Sequence, residues 1–474
     1  MEKPTVETTH LNVRRVYALQ KANRLAVRMT TAKQRKSKLR RLNEVINARK
    51  QDILSALKSD LRKPEFESAV FEIHVVQAEI DFAIDNLSDW LSPHPVSANL
   101  VNLTTRNRII YEPKGVCLII SPWNYPFQLL MSPLVSAIAA GNCCMLKPSE
   151  LAPATSCVLS TIIREVFNEN EVALFEGDAA LATSLLSLPF DHIFFTGSTP
   201  IGKVVMQAAA QHLTSVTLEL GGKSPAIIDQ QVNLKKAAEK IAWGKWANAG
   251  QTCIAPDYVF VHETQQAAFI ALLKASTEKL YFQQGRLNTG DYGKIISPRH
   301  FTRLKNLWED ALSKGAKAEM GGVFTDTDST ISPSILTQVD PTSQIMQEEI
   351  FGPILPVLTY KDLSETLDYI RSHDKPLALY IFSKRNRVIQ SILDQTTSGG
   401  TCVNDVLIHL SNPYLPFGGI GSSGTGGSHG FFGFRAFSHE RGVMYQNRWF
   451  DIGKIVYPPY KGKGIIGKIL RRLM

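Results

Sequence analysis

The chain has 474 residues and no run of about eighteen apolar positions, so no membrane-spanning helix is expected. Its opening, Met1-Glu2-Lys3-Pro4-Thr5-Val6-Glu7, has no apolar core, so no secretory leader is expected. Cysteine is scarce, with six in all, and none falls in a C-x-x-C pair or at zinc-ligand spacing. Cys143 and Cys144 are adjacent, which suits a disulfide framework poorly. The six are read as reduced thiols of a cytoplasmic protein without a metal site. Internal repeats and low-complexity tracts are absent too, which excludes solenoid and fibrous classes.

An even charge distribution is also missing. The net charge is +9, but residues 1–50 carry +11 and residues 451–474 carry +5, leaving a mildly acidic body between two basic ends. Basic ends can meet nucleic acid or an anionic membrane surface, or simply be solvated helix faces.

Apolar periodicity is plentiful. Residues 11–61 read as helix, with Leu39, Leu42, Ile46, Ile53, Leu57 and Leu61 on one stripe, ended by Pro64. A second amphipathic helix is expected from Glu65 to Leu91. Ser92-Pro93-His94-Pro95 reads as a linker and residues 99–113 as a hairpin.

The unbroken apolar run Gly115–Ile120 marks a strand buried on both faces, and it leads into Ser121-Pro122-Trp123-Asn124. Cys143–Leu146 leads likewise into Lys147-Pro148-Ser149-Glu150, and Asp191–Phe195 into Thr196-Gly197-Ser198. Helices alternate with these strands, the pattern of a doubly wound parallel sheet. Ligands of such sheets lie beyond the strands' carboxyl ends, where Asn124, Lys147, Glu150 and Thr196-Gly197-Ser198 all fall. A second α/β stretch runs from Ser224 past residue 400, with strands at Ala226–Asp229, Tyr258–His262, Ile354–Tyr360, Ala378–Phe382 and Gly400–Asn404. Gly221-Gly222 would be the hinge. The expected fold is a Rossmann-like doubly wound α/β domain over 1–222, a second α/β domain over 223–410, a return loop over 411–445 and a basic extension over 446–474.

Two glycine-rich turns carry chemistry. Gly250-Gln251-Thr252-Cys253-Ile254-Ala255-Pro256-Asp257 holds a cysteine, and Leu218-Glu219-Leu220-Gly221-Gly222 holds a carboxylate thirty-four positions earlier. A thiolate is a strong nucleophile, and a carboxylate can take a proton from a thiol or a water. By default, however, a lone cysteine is a small buried hydrophobe. Phe195-Thr196-Gly197-Ser198-Thr199-Pro200-Ile201-Gly202 is a strand–turn–helix junction whose free N–H groups could receive a phosphate. Gly419-Ile420-Gly421-Ser422-Ser423-Gly424 also fits G-x-G-x-x-G, but no buried strand leads into it, so it is rejected as a dinucleotide fingerprint.

The wording of these segments resembles the aldehyde dehydrogenase superfamily from about residue 35 to 440, and Ile254-Ala255-Pro256-Asp257-Tyr258 resembles its class 3, the fatty and aromatic aldehyde branch. The resemblance implies Cys253 as nucleophile, Glu219 as base and Asn124 as oxyanion donor beside the Cys253 N–H. It implies cofactor contacts at Trp123, Lys147, Glu150, Thr196, Gly197, Ser198, Gly202, Glu349 and Phe351. Of these, Lys147 and Glu150 would meet the adenosine ribose, Glu349 the nicotinamide ribose, and Phe351 would pack near the nicotinamide.

The implied cofactor is NAD, with NADP accepted, and the implied substrate a medium- or long-chain aliphatic, or aromatic, aldehyde. The resemblance also implies a homodimer, with 99–113 in an oligomerisation arm. The short basic end, Gly464–Met474, could touch a membrane weakly or be a frayed terminus; nucleic acid is not expected. A coenzyme-A-acylating relative, or a non-catalytic protein using its basic ends, remain as alternatives.

Overall fold

The computed structural model describes residues 6–449 and 457–473. Two large sheets share the chain, each with helices against it, and among the described residues a three-stranded and two two-stranded antiparallel sheets accompany them.

The N-terminal helical stretch is three helices, Val6–Arg28, Ala32–Ala48 and Lys50–Leu61, rather than one. Thr31 makes the first break. Its hydroxyl and the Gln34 side chain form a reciprocal capping box, which satisfies N–H groups that a continuous helix would use otherwise. Arg62, in a left-handed conformation, ends the third helix just before Pro64. The next helical stretch runs Glu65–Trp90 with a π-helical segment, Ala69–His74, inside it.

The first sheet has six strands in the order 424–425, 215–219, 192–196, 116–120, 143–147, 172–174, all parallel except the first. Both faces are covered. Cys117 and Ile119 pack with the helices Ala32–Ala48 and Lys50–Leu61, while Val116, Leu118 and Ile120 pack on the opposite side with Val6–Arg28. The same alternation sends Cys144 to one face and Cys143 to the other, so these neighbours cannot pair. The chain order reverses between Val116–Ile120 and His192–Thr196, which makes a crevice between the turns that follow these two strands.

The second sheet has seven strands in the order 317–320, 334–337, 354–360, 258–262, 225–228, 378–382, 400–403, and only the first is antiparallel. It encloses its own large core, with Trp246, Tyr292 and Tyr380 fully buried. The adjacent strands at 258–262 and 354–360 turn their amino ends toward the cleft, since the segments leading into them line it. The cleft thus lies between carboxyl ends of one sheet and amino ends of the other.

Residues 99–113 do not form a hairpin of their own. Arg106–Pro113 pairs on one side with His94–Val96 and on the other with Ser438–Tyr445, eight residues matched antiparallel. Ser438–Tyr445 returns from far along the sequence, so local patterning could not reveal it. The basic extension is described only at 446–449 and from 457 onward, with a helix at Gly464–Leu473; residues 450–456 and Met474 lie outside the described residues. Among the described residues no helix is long and apolar enough to cross a membrane.

Candidate active site

The helix Leu234–Trp246 ends in three successive residues with positive φ: Asn248 at 51°, Ala249 at 51° and Gly250 at 73°. Only Gly250 takes this region without penalty, and the other two store strain of about 1–3 kcal/mol each. A Cβ on Gly250 would lie 2.3 Å from the Gly352 carbonyl oxygen, so this turn fits no other residue. The contortion delivers Cys253, half-buried, into a cavity of about 590 Å³ between the sheets.

Hydrogen bonds hold that turn. Gln251 donates to the carbonyls of Asn248 and Lys294, both at 3.0 Å, and its Oε1 accepts from the Ile296 N–H at 3.0 Å. Asn124, 2% exposed, lines the cavity and donates one amide hydrogen to the Gln251 carbonyl at 3.0 Å. The Asn124 carbonyl accepts from Asn248 Nδ2 at 2.8 Å and from Lys63 Nζ at 3.0 Å. Lys63 is wholly buried and ion-paired with Glu72 at 2.5 Å. Glu72 comes from the π-helical segment, and its other oxygen accepts the N–H groups of Phe127 and Gln128 at the start of the helix Gln128–Ala140. Tyr125 OH meets Thr252 Oγ1 at 2.9 Å.

Cys253, Asn124, Glu219, Glu349, Phe351, Trp123, Thr196, Gly197 and Ser198 all line this one cavity. Glu219 enters from the end of the strand Ser215–Glu219 and Glu349 from the segment before Ile354–Tyr360. Burial lifts both carboxyls to about 8, with Asp257 adding to the rise at Glu349. The Ser428 hydroxyl and His429 temper the rise at Glu219. Both Glu219 oxygens are buried, and among the described residues neither meets a donor in ordinary hydrogen-bond geometry, although the Ser428 hydroxyl is close enough to favour the charged form. Burial, then the charges of Glu349 and Glu219, push the Cys253 thiol up to about 12, against a lowering by its own N–H and that of Ile254. The free site therefore rests as the thiol.

Thr196 Oγ1 is also buried and unpartnered, and it sits where the strand His192–Thr196 turns into the helix Thr199–Ala210. Ser198 caps this helix without a side-chain bond, so the helix N–H groups face the cavity mouth uncapped. Gly202 lies outside the lining. A Cβ there would approach Leu220 Cδ2 to 2.6 Å, so its missing side chain lets the helix pack close on the strand. Lys147 and Glu150 are also outside it, joined at 3.0 Å, with Lys147 buried and Glu150 half-exposed. An uncapped helix end, orphaned polar atoms and a long cleft fit a dinucleotide.

Several lining residues had no sequence signal. Arg299, His300 and Arg303, from the first turns of the helix Pro298–Ser313, line the cavity. His300 packs 5.0 Å from the Trp123 ring, and Trp123 meets Phe351 edge-on at 5.4 Å. Burial and the two arginines lower His300 to about 4, so it is neutral at physiological pH. Ser428 and His429 come from the glycine-rich return loop. The rejected Gly419–Gly424 segment forms part of that loop: Ser423 O accepts from Leu220 N at 3.0 Å, and Ser422 O from Thr199 Oγ1 at 3.0 Å.

A profile of the aldehyde dehydrogenase family matches residues 6–443. The chain belongs to the aldehyde dehydrogenase family. Aldehyde dehydrogenase family 3 member A2 of Mus musculus is 42% identical over 426 residues, covering 90% of this chain and 87% of that protein. The dimeric, NADP-preferring aldehyde dehydrogenase of Mus musculus is 43% identical over 430 residues, covering 90% and 94%. The substrate-bound structure of Staphylococcus aureus AldH superposes with a TM-score of 0.93 at 40% identity, covering 97% of this chain and 99% of that one. These matches make the chain an α/β enzyme of the aldehyde-oxidising class, with family 3 members among its relatives.

Proposed function

We propose that this aldehyde dehydrogenase oxidises medium- or long-chain aliphatic, or aromatic, aldehydes to carboxylic acids, using NAD and accepting NADP. The observation that carries the reading is the meeting of Cys253, Asn124 and Glu219 on one cavity whose wall also includes Leu129, Pro133, Phe194, Leu377 and Phe417. The first three supply nucleophile, oxyanion donor and base; the apolar residues suit an apolar aldehyde chain.

In this reading the Cys253 sulfur attacks the aldehyde carbon. The thiol proton leaves for Glu219 or Glu349, whose raised affinities make them able acceptors. The alkoxide is met by an amide N–H of Asn124 and the Cys253 backbone N–H, donors fixed before the charge develops. A bound nicotinamide would supply the hydride acceptor, so that the carbon bound to Cys253 loses its hydride and becomes a thioester, while the proton taken from the thiol passes to solvent and frees the carboxylate. Glu219 then takes a proton from a water that attacks the thioester carbon; the carbon–sulfur bond breaks and the acid leaves.

The uncapped end of Thr199–Ala210 would hold the pyrophosphate, Glu349 the nicotinamide ribose, and Lys147 with Glu150 the adenosine ribose. Arg299 and Arg303 add positive charge along the same path. Lys147 offsets the repulsion that Glu150 would exert on a 2′-phosphate, which supports tolerance of NADP. NADH absorbance across aldehydes from acetaldehyde to hexadecanal tests the proposal, with Cys253→Ala as control. Turnover by that variant at the parent rate would overturn it.

The exposed strand Ser438–Tyr445 has an unpaired outer edge with Met444 and Tyr445 exposed, which supports a homodimer built by strand addition. All six cysteines are free, which supports a reducing, cytoplasmic setting. The helix Gly464–Leu473 carries exposed Lys468, Arg471 and Arg472, which supports weak contact with an anionic membrane face. Sedimentation with and without anionic vesicles tests both associations. A monomer that ignores vesicles would exclude them.

A further inference from the structure

Outside the reaction just described stands a buried acid–imidazole pair. Glu79, on the helix Val75–Trp90, places Oε1 2.5 Å from Nδ1 of His429, and the two side chains are 9% and 8% exposed. The second Glu79 oxygen accepts the Gly430 N–H at 3.2 Å. His429 is held at φ 69°, ψ 141°, a backbone region a non-glycine residue avoids. Its ring meets Phe417 edge-on at 5.5 Å and lines the cavity that Glu219 also lines. A cap for Gly430 alone would need neither a buried ion pair nor a strained histidine. Two unfavourable features therefore converge on a residue that shares the cavity wall with Glu219.

The electrostatics run in one direction. Burial opposes protonation of the imidazole, but Glu79 outweighs it and raises the ring's proton affinity, and the positive charge of the protonated ring acts on Glu219. The charged groups facing Glu219 are His429 from the return loop and Cys253 from the nucleophile turn; Glu349 reaches Cys253 from the third side. Glu79 itself faces only His429.

Resting on the acyl-enzyme reading above, we infer that His429, locked by Glu79, is the positioning residue whose charge favours the ionised, proton-accepting form of Glu219 in the hydrolytic half of the reaction. When water attacks the thioester, its proton passes to Glu219, its hydroxyl joins the acyl carbon, and the Cys253 thiolate departs. His429 holds its proton throughout and supplies only charge and orientation.

The test uses the full chain carrying His429→Gln or Glu79→Gln, the second keeping the imidazole but removing its anion. Stopped-flow measurement of the NADH formed in the first turnover isolates acylation, and steady-state turnover against pH reports hydrolysis. The expected result for both variants is an unchanged first turnover, steady-state turnover down roughly tenfold at pH 7 and recovered at higher pH. That fold-change corresponds to a base titrating about one pH unit higher. Profiles superimposing on the parent, or a loss equal at every pH, would overturn the inference. A first turnover slowed as much as the steady state would also overturn it, because the effect would then not belong to hydrolysis. Absence of first-turnover NADH in the parent protein would instead sink the acyl-enzyme reading.

Discussion

The two walls of the cavity are built on opposite terms. On the nucleophile wall, Asn124, Asn248 and Gln251 bind one another's carbonyls, Lys63 pins the Asn124 carbonyl, and Glu72 anchors Lys63 to the next helix start. On the facing wall, Glu219 and Thr196 present buried oxygens without a well-formed hydrogen bond among the described residues. Hydrogen bonds are concentrated where atoms must not move. They are withheld where a proton, a water or a ligand must arrive, since a carboxylate already satisfied by backbone N–H groups would be a poor base.

The sharpest way to break this contrast is to loosen the tied wall. Lys63→Met removes a wholly buried ammonium and leaves Glu72 an uncompensated buried carboxylate. Breaking such a pair costs about 3–5 kcal/mol. The expected outcome is a matching loss in denaturant-unfolding free energy, recovered in part by adding Glu72→Gln, which removes the stranded charge. An additive double variant would mean that the pair is not coupled.

Asn124→Ala should act next most strongly, and on rate more than on binding. It deletes the proposed oxyanion donor and also the hydrogen bond to the Gln251 carbonyl. Loss of one such donor lowers kcat by about 100- to 1000-fold. Measured kcat and KM should therefore separate, with KM little changed. A KM effect alone would reassign Asn124 to substrate binding.

This division also explains what could be read before the structure. The strands Tyr258–His262, Ile354–Tyr360 and Ala378–Phe382 match their expected bounds, because apolar residues buried on both sides leave an unbroken signature. Carboxyl-end positions such as Asn124 and Thr196 followed from a topological rule. Cys253 and Glu349 instead enter from amino ends of the second sheet, and no such rule predicts them; only the wording of their motifs marked them. Arg299, His300 and Arg303 were hidden in an ordinary amphipathic helix, and nothing in their spacing shows which turn faces the cleft. His429 sat among glycines and serines, and its partner Glu79 lies 350 residues away. The expected hairpin at 99–113 failed for the same reason, since its true partner, Ser438–Tyr445, is supplied by the far end of the chain.

The smallest effect sharpens the comparison most. In the proposed reaction Glu219 lends its charge to two opposed tasks: it would accept protons, and it disfavours the nearby thiolate. Glu219→Gln should therefore separate them. Removing a negative neighbour lowers the Cys253 pKa from its raised value, so a larger fraction of the sulfur is thiolate at a given pH. Iodoacetamide should then alkylate Cys253 in the free enzyme a few-fold faster than in the parent, roughly the change expected from half a pKa unit. The gain should be clearest above pH 8, where the parent Glu219, lifted to about 8, is mostly ionised, and should shrink below it as that carboxyl becomes neutral. Steady-state aldehyde oxidation should fall in the same variant. Faster alkylation beside slower turnover would show that the open wall serves the proton and hinders the nucleophile. Equal alkylation across the pH range would mean that Glu219 and Cys253 do not feel each other, and that the two walls work independently.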